Sequence, residues 1–380
     1  MPTGTYRAPD FVAAARALGV ELLVAVDEPP ALADEDQMVA VPLGDPPRAV
    51  QAIEALDRRR GVDAVVAVDD QGVVVAAAAG RRLGFPHSPP DAVAATRDKA
   101  ELRRRLAAGE VAQPRFGTTP DEVGFPCVVK PTGLAGSRGV IRCDSPVELD
   151  AARARIAVFW DGPLIIEEYV PGVEVALEGL LRDGRLEVLA VFDKPDALVG
   201  PYFEETIYVT PSRLPRATIA AIATLAERAA AALGLTEGPV HAELRVDGDR
   251  VWVIEVAARS IGGLCARSLR FGAGISLEEV ILRHALGMPL DDLERERAAA
   301  GVMMLPIPRA GTLTEVRGRD AALAVPGVVG LEITVPIGRA LVPLPEGDRY
   351  LGFLFARADA PEAVETALRA AAEHLDIVVT

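Results

Sequence analysis

Two hydrophobic patterns take turns along the first quarter of the chain. Continuous apolar runs at Leu22–Val26 and Ala64–Val68 are typical of strands covered on both faces. Patterns with the helical period occur near residues 9–18, 47–57 and 72–83. Strands that alternate with helices predict a parallel α/β domain, which we place at residues 1–90.

The chain opens on Pro2–Pro9, which looks like the loop after a strand and leads directly into the first helix. We therefore expect the leading sheet to lack its first strand. A start codon assigned too far downstream explains the same pattern equally well. A sheet without this strand would expose an edge, which favours association, so a homodimer is one expected outcome.

After a Pro-rich joint at Phe85–Val93, short strands follow one another with few helices between them, which indicates an α+β fold. The helices are expected at Thr96–Glu110, Leu214–Leu233 and Ser276–Leu286. The strands are expected at Pro126–Pro131, Leu164–Glu168, Val173–Leu181, Leu186–Phe192, Val240–Val246 and Val251–Val256.

The last 80 or so residues repeat this mixture on a smaller scale. Strands are expected in "GVMMLPI", "GLEITV" and "RYLGFLFARA", followed by an Ala-rich helix at Ala360–His374. We therefore predict a small α+β subdomain at residues 299–380. Residues 91–298 then form the middle domain, with a small lobe at 91–170 and a large lobe at 171–298.

Composition is that of a soluble globular enzyme, with 50% hydrophobic and 25% charged residues. The longest apolar run, Val73–Ala79, is too short to span a bilayer, and Met1–Asp10 has no apolar signal region. We expect a cytoplasmic protein. Three widely spaced cysteines, Cys127, Cys143 and Cys265, predict neither disulfides nor a thiolate metal site.

The net charge of −15 argues against general binding to nucleic acid or to an anionic membrane. Two basic triplets do not change this interpretation. Arg58–Arg60 end a predicted helix and Arg103–Arg105 lie on a short charged helix, so both are expected on solvated faces.

The stretch "VVKPTGLAGSRGVIRC", from Val128 to Cys143, places three glycines and Ser137 between two apolar segments. It lacks the Lys-Ser/Thr pair of a P-loop, and a strand rather than a helix is expected after it. A strand, glycine loop and strand form a flap that can lay backbone N–H groups on phosphate oxygens. An ordinary hairpin loop remains an alternative.

Two lysines accompany this flap. Lys130 ends an otherwise apolar strand, where its desolvation requires an anionic partner. Lys99 opens a helix, where the dipole disfavours a cation unless an anion lies close by. Taken singly, either lysine would be expected at the surface.

Carboxylates recur in two predicted hairpins. "IIEEYVPGVEVALEGL" ends a strand in an acidic pair, turns at Pro171-Gly172 and resumes with Glu174. "HAELRVDGDRVWVIEVAARSIGGL" turns at Asp247-Gly248-Asp249 and brings Glu243 and Glu255 side by side. Facing carboxylates repel unless a cation lies between them, and Mg²⁺ suits these oxygen ligands. Arg259 at the exit is a candidate counter-ion for an anionic intermediate.

The order of these parts resembles the ATP-grasp superfamily over roughly residues 90–290. Within it, "GPYFEETIYVTPSRLP", "EVAAR" and "GVMMLPIPRAGTLTEV" are most similar to the L-amino acid ligases, whose small terminal domain the C-terminal subdomain resembles. The resemblance implies an ATP-grasp fold after a Rossmann-like α/β domain. Two positions depart from the pattern: Ala257 replaces a frequent Asn, and Tyr208 replaces a His that the ligases often carry three residues after the matched Glu205.

The resemblance also implies roles for individual residues. The nucleotide contacts would be Lys99 and Lys130 on the phosphates, Gly136 and Ser137 in the flap, Glu167 with the backbone of Glu168 and Val170 at adenine, and Glu174 on the ribose. Glu243 and Glu255 would bind Mg²⁺, with two ions expected and Mn²⁺ as an alternative. The substrate residues would be Glu205, Tyr208, His241, Arg259, Gly262 and Gly263, and the catalytic residues Lys130, Ser137 and Arg259.

Two of these assignments keep alternatives. His241 shares a strand face with Glu243, but a buried histidine with satisfied hydrogen bonds explains its position equally well. Glu204 and Glu205 are expected to alternate across a strand, so that only Glu205 faces the site. The backbone of Ser260–Gly263 is expected to hold an anionic oxygen together with Arg259.

The function implied is ATP-dependent joining of a small-molecule carboxylate to an amine, through an acyl phosphate and with release of ADP. An amino acid is the expected substrate. The alternatives are a ligase or carboxylase of nucleotide or other small-metabolite biosynthesis, and, from a different class, an ATP-binding module without catalysis.

Overall fold

A computed structural model describes residues 1–2, 5–28 and 38–380. Its N-terminal part pairs strand β1 (Val24–Val26) with the parallel strand β2 (Met38–Ala40). The parallel pairing agrees with the predicted parallel α/β domain, although β2 itself was not predicted. The helices are α1 (Ala8–Leu18), α2 (Pro46–Arg60) and α3 (Val73–Leu83), which confirms the three helical patterns. Each of these helices stops at a glycine. Thr3 and Gly4 of the opening loop lie outside the described residues, and the missing first strand stays a prediction.

The predicted strand at Ala64–Val68 is wrong, because this segment pairs with no strand in the described part of the chain. Side chains form hydrogen bonds to its carbonyl oxygens instead. His87 Nε2 lies 2.7 Å from the carbonyl oxygen of Val65, and Arg7 donates to that of Val68 at 2.7 Å. The apolar run therefore marks burial, but its backbone is bonded by side chains and not by a neighbouring strand.

A four-stranded antiparallel sheet forms the small lobe, in the order β3-β6-β4-β5. Its strands are β3 (Phe116–Gly117), β4 (Cys127–Pro131), β5 (Ile141–Cys143) and β6 (Leu164–Glu168). The helices in this region are α4 (Pro90–Ala95), α5 (Lys99–Ala108) and α6 (Pro146–Ile156), with a short 3₁₀ turn at Pro120–Glu122. Helix α6 was not predicted, although Ser145 and Glu148 carry the spacing of a helix N-cap, and the Ser145 hydroxyl accepts from the Glu148 N–H.

The rest of the chain forms mainly antiparallel strands. They are β7 (Val173–Arg182), β8 (Arg185–Asp193), β9 (Ile207–Thr210), β10 (Gly238–Asp247), β11 (Arg250–Ala257), β12 (Ala299–Leu305), β13 (Gly311–Arg317), β14 (Val328–Ile333), β15 (Ala340–Leu341), β16 (Gly352–Ala358) and β17 (Asp376–Val379). The helices are α7 (Arg216–Leu233), α8 (Leu277–Ala285), α9 (Arg319–Leu323) and α10 (Pro361–Glu373), with a 3₁₀ turn at Cys265–Ser268. Strands β13, β15 and β17 escaped prediction.

Eight of these strands make one sheet in the order β11-β10-β7-β8-β9-β12-β16-β14. Both of its faces are covered, as alternate residues of β7 show. Leu177 packs in the core under α7, whereas Ala176 and Leu180 pack in the core that holds α1 and α8. The sheet continues across residue 299, so the predicted domain boundaries stay a prediction. No helix in the described ranges is long and apolar enough to cross a membrane.

Candidate functional site

A cavity of 740 Å³ lies between the two sheets and reaches the N-terminal part and the C-terminal strands. All sixteen residues that the sequence marked as candidates line it. The N-terminal part adds Tyr6, Arg7 and Asp70, and the C-terminal part adds Thr334, Asp348, Arg349 and Tyr350. Candidates that lie far apart in the chain therefore share one concave site, which is the usual geometry of a small-molecule pocket.

The glycine flap, residues 132–140, joins antiparallel strands β4 and β5, so the predicted strand, loop and strand unit is confirmed. Gly136 and Ser137 have φ of 65° and 57°, in the left-handed region. Serine occupies this region less readily than glycine does. Lys99 bonds the flap from α5, because its Nζ donates to the carbonyl oxygen of Leu134 at 2.5 Å.

Below the flap lies a cation cluster, which we define as Arg103, Lys130 and Glu167. Lys130 Nζ is 2.6 Å from the Glu167 carboxylate. The Arg103 guanidinium donates to both oxygens of that carboxylate, at 2.8 and 2.9 Å. All three side chains are almost fully buried. Lys130 thus has the anionic partner that its apolar strand requires, and two cations share one carboxylate.

Burial and charge act in opposite directions in this cluster. Burial by itself raises the pKa of Glu167, but Arg103 and Lys130 outweigh it and bring that pKa down to about 2. Burial lowers the pKa of Lys130, and Glu167 opposes this shift. The carboxylate is therefore ionised at neutral pH.

The prediction that Arg103 lies on a solvated face is wrong, because its side chain is only 1% exposed. On α5, Arg103 lies on the same buried face as Leu102 and Leu106. Its guanidinium also donates to the carbonyl oxygens of Val253 and Ile254, at 3.1 and 2.6 Å. Helical spacing was the available sequence signal, because Arg103 is adjacent to Leu102 and lies three residues before Leu106.

Across the cavity lies a carboxylate cluster, which we define as Glu174, Glu205, Glu243 and Lys194. The three carboxylates each place an oxygen within 4.8 Å of the others. Lys194 Nζ lies among them, bonded to Glu205, 2.7 Å from Glu174 and 3.5 Å from Glu243. Tyr208 donates its hydroxyl to Glu205 at 2.6 Å. One lysine is therefore shared by three carboxylates.

Sequence reasoning missed both Lys194 and Arg245. Arg245 Nε donates to Glu174 at 2.9 Å, so the predicted ribose residue has both oxygens bonded within the protein. Strand alternation could have placed Arg245 on the cavity face, because it follows Glu243 by two residues. Lys194 directly follows a buried strand end, which is the signal that identified Lys130. Its side chain is 3% exposed.

The prediction that Glu204 and Glu205 alternate across a strand is wrong. Strand β9 begins at Ile207, and both glutamates precede it. Of the two, only Glu205 lines the cavity, as the resemblance implied.

The predicted metal ligands Glu243 and Glu255 are direct partners in the β10–β11 register, which confirms the predicted hairpin. Lys99 Nζ lies 3.6 Å from the Glu255 carboxylate. Burial raises the pKa of Glu243, but Lys194 and His241 outweigh it and leave the pKa lowered. Two carboxylates on adjacent strands fit a hard divalent cation, although the three-carboxylate group includes Glu243 and not Glu255. Their metal role stays a prediction.

Arg259 is paired within the protein. Its Nε lies 2.9 Å from Asp70, whose other oxygen lies 2.9 Å from Arg97. Burial lowers the pKa of Arg259, but Asp70 outweighs it and the pKa is raised. Two arginines thus share one carboxylate from the N-terminal part, which leaves a positive surplus at this end of the cavity. Neither Asp70 nor Arg97 was a sequence candidate.

The backbone after Arg259 is partly committed to other contacts. The Ile261 N–H donates to Glu178 at 2.9 Å, so it is not available to an anionic oxygen as the Ser260–Gly263 expectation assumed. Arg7 donates to the Ser260 hydroxyl at 2.8 Å. Gly262 and Gly263 line the cavity and keep their candidate role.

His241 satisfies both of its alternatives. It is buried, with Nδ1 3.3 Å from Glu178 and Nε2 3.6 Å from Glu243, and it lines the cavity. Burial lowers its pKa, but the two glutamates outweigh it and raise the pKa to about 9. Its nearest polar contacts are therefore protein carboxylates.

Three family models match consecutive parts of the chain. An ATP-grasp N-terminal domain matches residues 12–87, an ATP-grasp domain matches 123–268, and the L-amino acid ligase C-terminal domain 2 matches 303–380. ATP-grasp domains and an L-amino acid ligase C-terminal domain 2 therefore follow one another along the chain.

Individual relatives agree with this assignment. The L-amino acid ligase of Bacillus licheniformis superposes with a TM-score of 0.82 at 26% identity, over 98% of this chain and 96% of that one. N5-carboxyaminoimidazole ribonucleotide synthetase of Thermotoga maritima gives 0.75 over 100% and 98% of the chains, but at 18% identity it shows the fold alone. Alanine–anticapsin ligase of Bacillus subtilis is 27% identical over 58% of this chain. The chain spans 53% of that relative's length.

Proposed function

We propose that the protein is an ATP-dependent carboxylate–amine ligase that joins an amino acid to an amine and forms ADP and phosphate. The observation that carries this proposal is the cavity itself, in which a cation cluster under a glycine flap faces a carboxylate cluster. The L-amino acid ligase similarity over almost the whole chain supports an amino acid as substrate.

In the first step, a carboxylate oxygen of the substrate attacks the γ-phosphorus of ATP, and ADP leaves. The product is an acyl phosphate. Lys99 and Lys130 would contact the phosphates, and the flap would cover them and exclude water. Glu243 and Glu255 would hold Mg²⁺, which supplies Lewis-acid stabilisation of phosphate charge when it is bound.

In the second step, the amine nitrogen attacks the acyl carbon, and a tetrahedral species forms with a negatively charged oxygen. Arg259 and the backbone N–H groups of Gly262 and Gly263 would stabilise that oxygen. The carbon–oxygen bond to the phosphate breaks, inorganic phosphate leaves, and the nitrogen loses a proton. No protein residue forms a covalent bond with the substrate.

A direct test incubates the protein with ATP, Mg²⁺ and pools of amino acids. Phosphate release and the masses of new amides are measured together. We expect both to depend on the amino acids and to rise in equal amounts. ADP formation that never depends on any carboxylate would contradict the proposal.

Two alternatives are decided by the same assay and one more. Products that are carboxylated or amidated nucleotide precursors would favour the first alternative, a ligase or carboxylase of nucleotide or other small-metabolite biosynthesis. Calorimetric ATP binding without turnover across a broad substrate screen would favour a binding module. The complete set of charged candidate residues that line the cavity favours catalysis over a binding module.

A further inference from the structure

A segment of the C-terminal part lies across the glycine flap. We define this strap as residues 343–349, between β15 and β16. Its backbone accepts two hydrogen bonds from the flap: the Gly139 N–H donates to the Pro345 carbonyl oxygen at 2.9 Å, and Arg138 Nε donates to that of Glu346 at 2.9 Å. Contact is thus made by the flap's main chain as well as by a side chain.

A third contact joins the strap to the helix behind the flap. The Glu346 carboxylate pairs with Arg155 in the last turn of α6, through Nε at one oxygen and through Nη2 at the other, 3.1 Å away. Arg155 also donates to the hydroxyl of Tyr202. A bidentate arginine–carboxylate pair fixes orientation better than a single contact does, so Glu346 holds the small lobe at a defined angle.

The other end of the strap belongs to the cavity wall. Asp348 and Arg349 line the cavity, and so does Tyr350, which follows the strap and packs against Phe353. The strap therefore contacts the flap at one end and lines the cavity at the other. Motion of the flap away from the strap would break the hydrogen bonds from Gly139 and Arg138, whereas the ion pair with Arg155 keeps the strap on α6.

We propose that the strap is a latch that holds the glycine flap closed, with Glu346 as a positioning residue that acts through Arg155 and the flap backbone. This inference rests on the proposed function for its catalytic consequence. An acyl phosphate is lost to water whenever the flap opens before the amine attacks. The latch therefore sets how much ATP is consumed for each amide formed.

The variants Glu346→Gln and Arg155→Gln remove the ion pair, and a charge swap, Arg155→Glu with Glu346→Arg, restores it in reverse. A matched control is Arg182→Gln, which neutralises an exposed arginine paired with Glu187 on the β7–β8 hairpin, away from the flap. The first readout is phosphate released per amide formed. We expect a ratio near one for the wild type and the control, a severalfold rise in both single variants, and partial return in the swap.

The second readout needs no ligase activity. Trypsin cleaves after Arg138 only when the flap is free, so the appearance of the fragment that begins at Gly139 measures flap opening in the full chain. We expect severalfold faster cleavage in Glu346→Gln than in the wild type and the control, with slower cleavage again in the swap.

The two readouts separate the possible failures. Equal cleavage rates in all variants overturn the latch, whether or not amides form. A uniform loss of phosphate and amide with an unchanged ratio also overturns it, because a merely structural residue would act in that way. A wild type that forms no amide, but whose flap opens faster in Glu346→Gln, overturns the proposed function and leaves the latch standing.

Discussion

The cation cluster and the carboxylate cluster carry surplus charge of opposite sign. In the cation cluster, two cations share the carboxylate of Glu167, and all three groups are buried. In the carboxylate cluster, three carboxylates share Lys194. The first arrangement retains attraction for an anion, because two cations share one carboxylate. The second retains attraction for a cation, because its three carboxylates outnumber Lys194 and the Arg245 that bonds Glu174.

This difference explains how a protein with a net charge of −15 can attract a polyphosphate. The overall charge disfavours anions, but the local surplus beneath the flap decides what enters the cavity. The carboxylate surplus opposite would attract the divalent cation that accompanies the phosphates.

Replacing Glu255 by glutamine removes one of the two facing carboxylates of the β10–β11 pair. Loss of Lewis-acid stabilisation is worth several kcal/mol, so turnover should fall at least about a hundredfold. Thermal unfolding should change little, because the side chain is partly exposed. Unchanged amide formation would refute the metal assignment, and Glu187→Gln, on the outer hairpin, serves as the control.

Replacing Lys194 by methionine removes the shared cation from Glu174, which is buried, and from Glu205 and Glu243, which are partly buried. Breaking a buried ion pair costs about 3–5 kcal/mol of unfolding free energy, and the partial exposure of two of the carboxylates places this variant toward the lower end of that range. Mg²⁺ should restore more stability to this variant than to the wild type, since it can take the place of the lysine. Chemical denaturation with and without Mg²⁺ measures both effects. An equal gain in stability from Mg²⁺ in the variant and the wild type would show that the carboxylate cluster has no special affinity for cations.

The cation cluster should make the free energy of unfolding depend on pH in the acid range. The pKa of Glu167 is lowered from its ordinary 4.5 to about 2, so its contribution is fully present above about pH 4.5. It is lost as the pH falls toward 2, and it amounts to about 3 kcal/mol. Denaturation at pH 5 and pH 3 should show more than half of this loss, about 2 kcal/mol, in the wild type and a smaller loss in Glu167→Gln. The same loss in both would contradict the assignment.

Asp70 links the N-terminal part to the cavity through Arg97 and Arg259. In Asp70→Asn both arginines lose their ionised partner, and we expect kcat/KM for the amino acid to fall about tenfold, which corresponds to about 1.4 kcal/mol. Asp70→Glu should recover part of it. Steady-state kinetics are compared with Asp91→Asn, an exposed partner of Arg105. Equal behaviour of the two asparagine variants would show that Arg259 is positioned without Asp70.

The smallest effect is expected at the tip of the flap. Ser137→Ala and Ser137→Gly both remove the hydroxyl, but only glycine favours the left-handed φ of 57°. A lost hydrogen bond of about 0.5–1.5 kcal/mol would lower turnover about two- to tenfold in both variants. A fall in the alanine variant alone would indicate strain. Unaltered turnover in both would mean that the flap backbone alone holds the nucleotide.

Sequence patterns were informative where a residue and its role lie close together in the chain. The glycine flap and the Glu243–Glu255 hairpin depend on local turns and strand alternation, so both could be predicted. Arg103 could not be assigned in the same way, because its partner Glu167 is 64 residues distant and only the folded chain joins them.

Buried cations were the main class of site residue that the sequence did not predict. Lys194, Arg245 and Arg103 look like ordinary solvated charges until their carboxylate partners are in place. The strand predicted at Ala64–Val68 failed for a related reason. Its apolar pattern reports burial, whereas side chains such as Arg7 decide what its carbonyl oxygens bond to.

The central claim is that the carboxylate becomes an acyl phosphate, and oxygen labelling tests it most directly. The protein is given ATP, Mg²⁺ and an amino acid whose carboxylate carries ¹⁸O, and the inorganic phosphate is analysed by mass. Because the bridging oxygen leaves with the phosphate, the account predicts one ¹⁸O in each phosphate released and ADP as the nucleotide product. Phosphate without label, or label recovered in AMP, would contradict it.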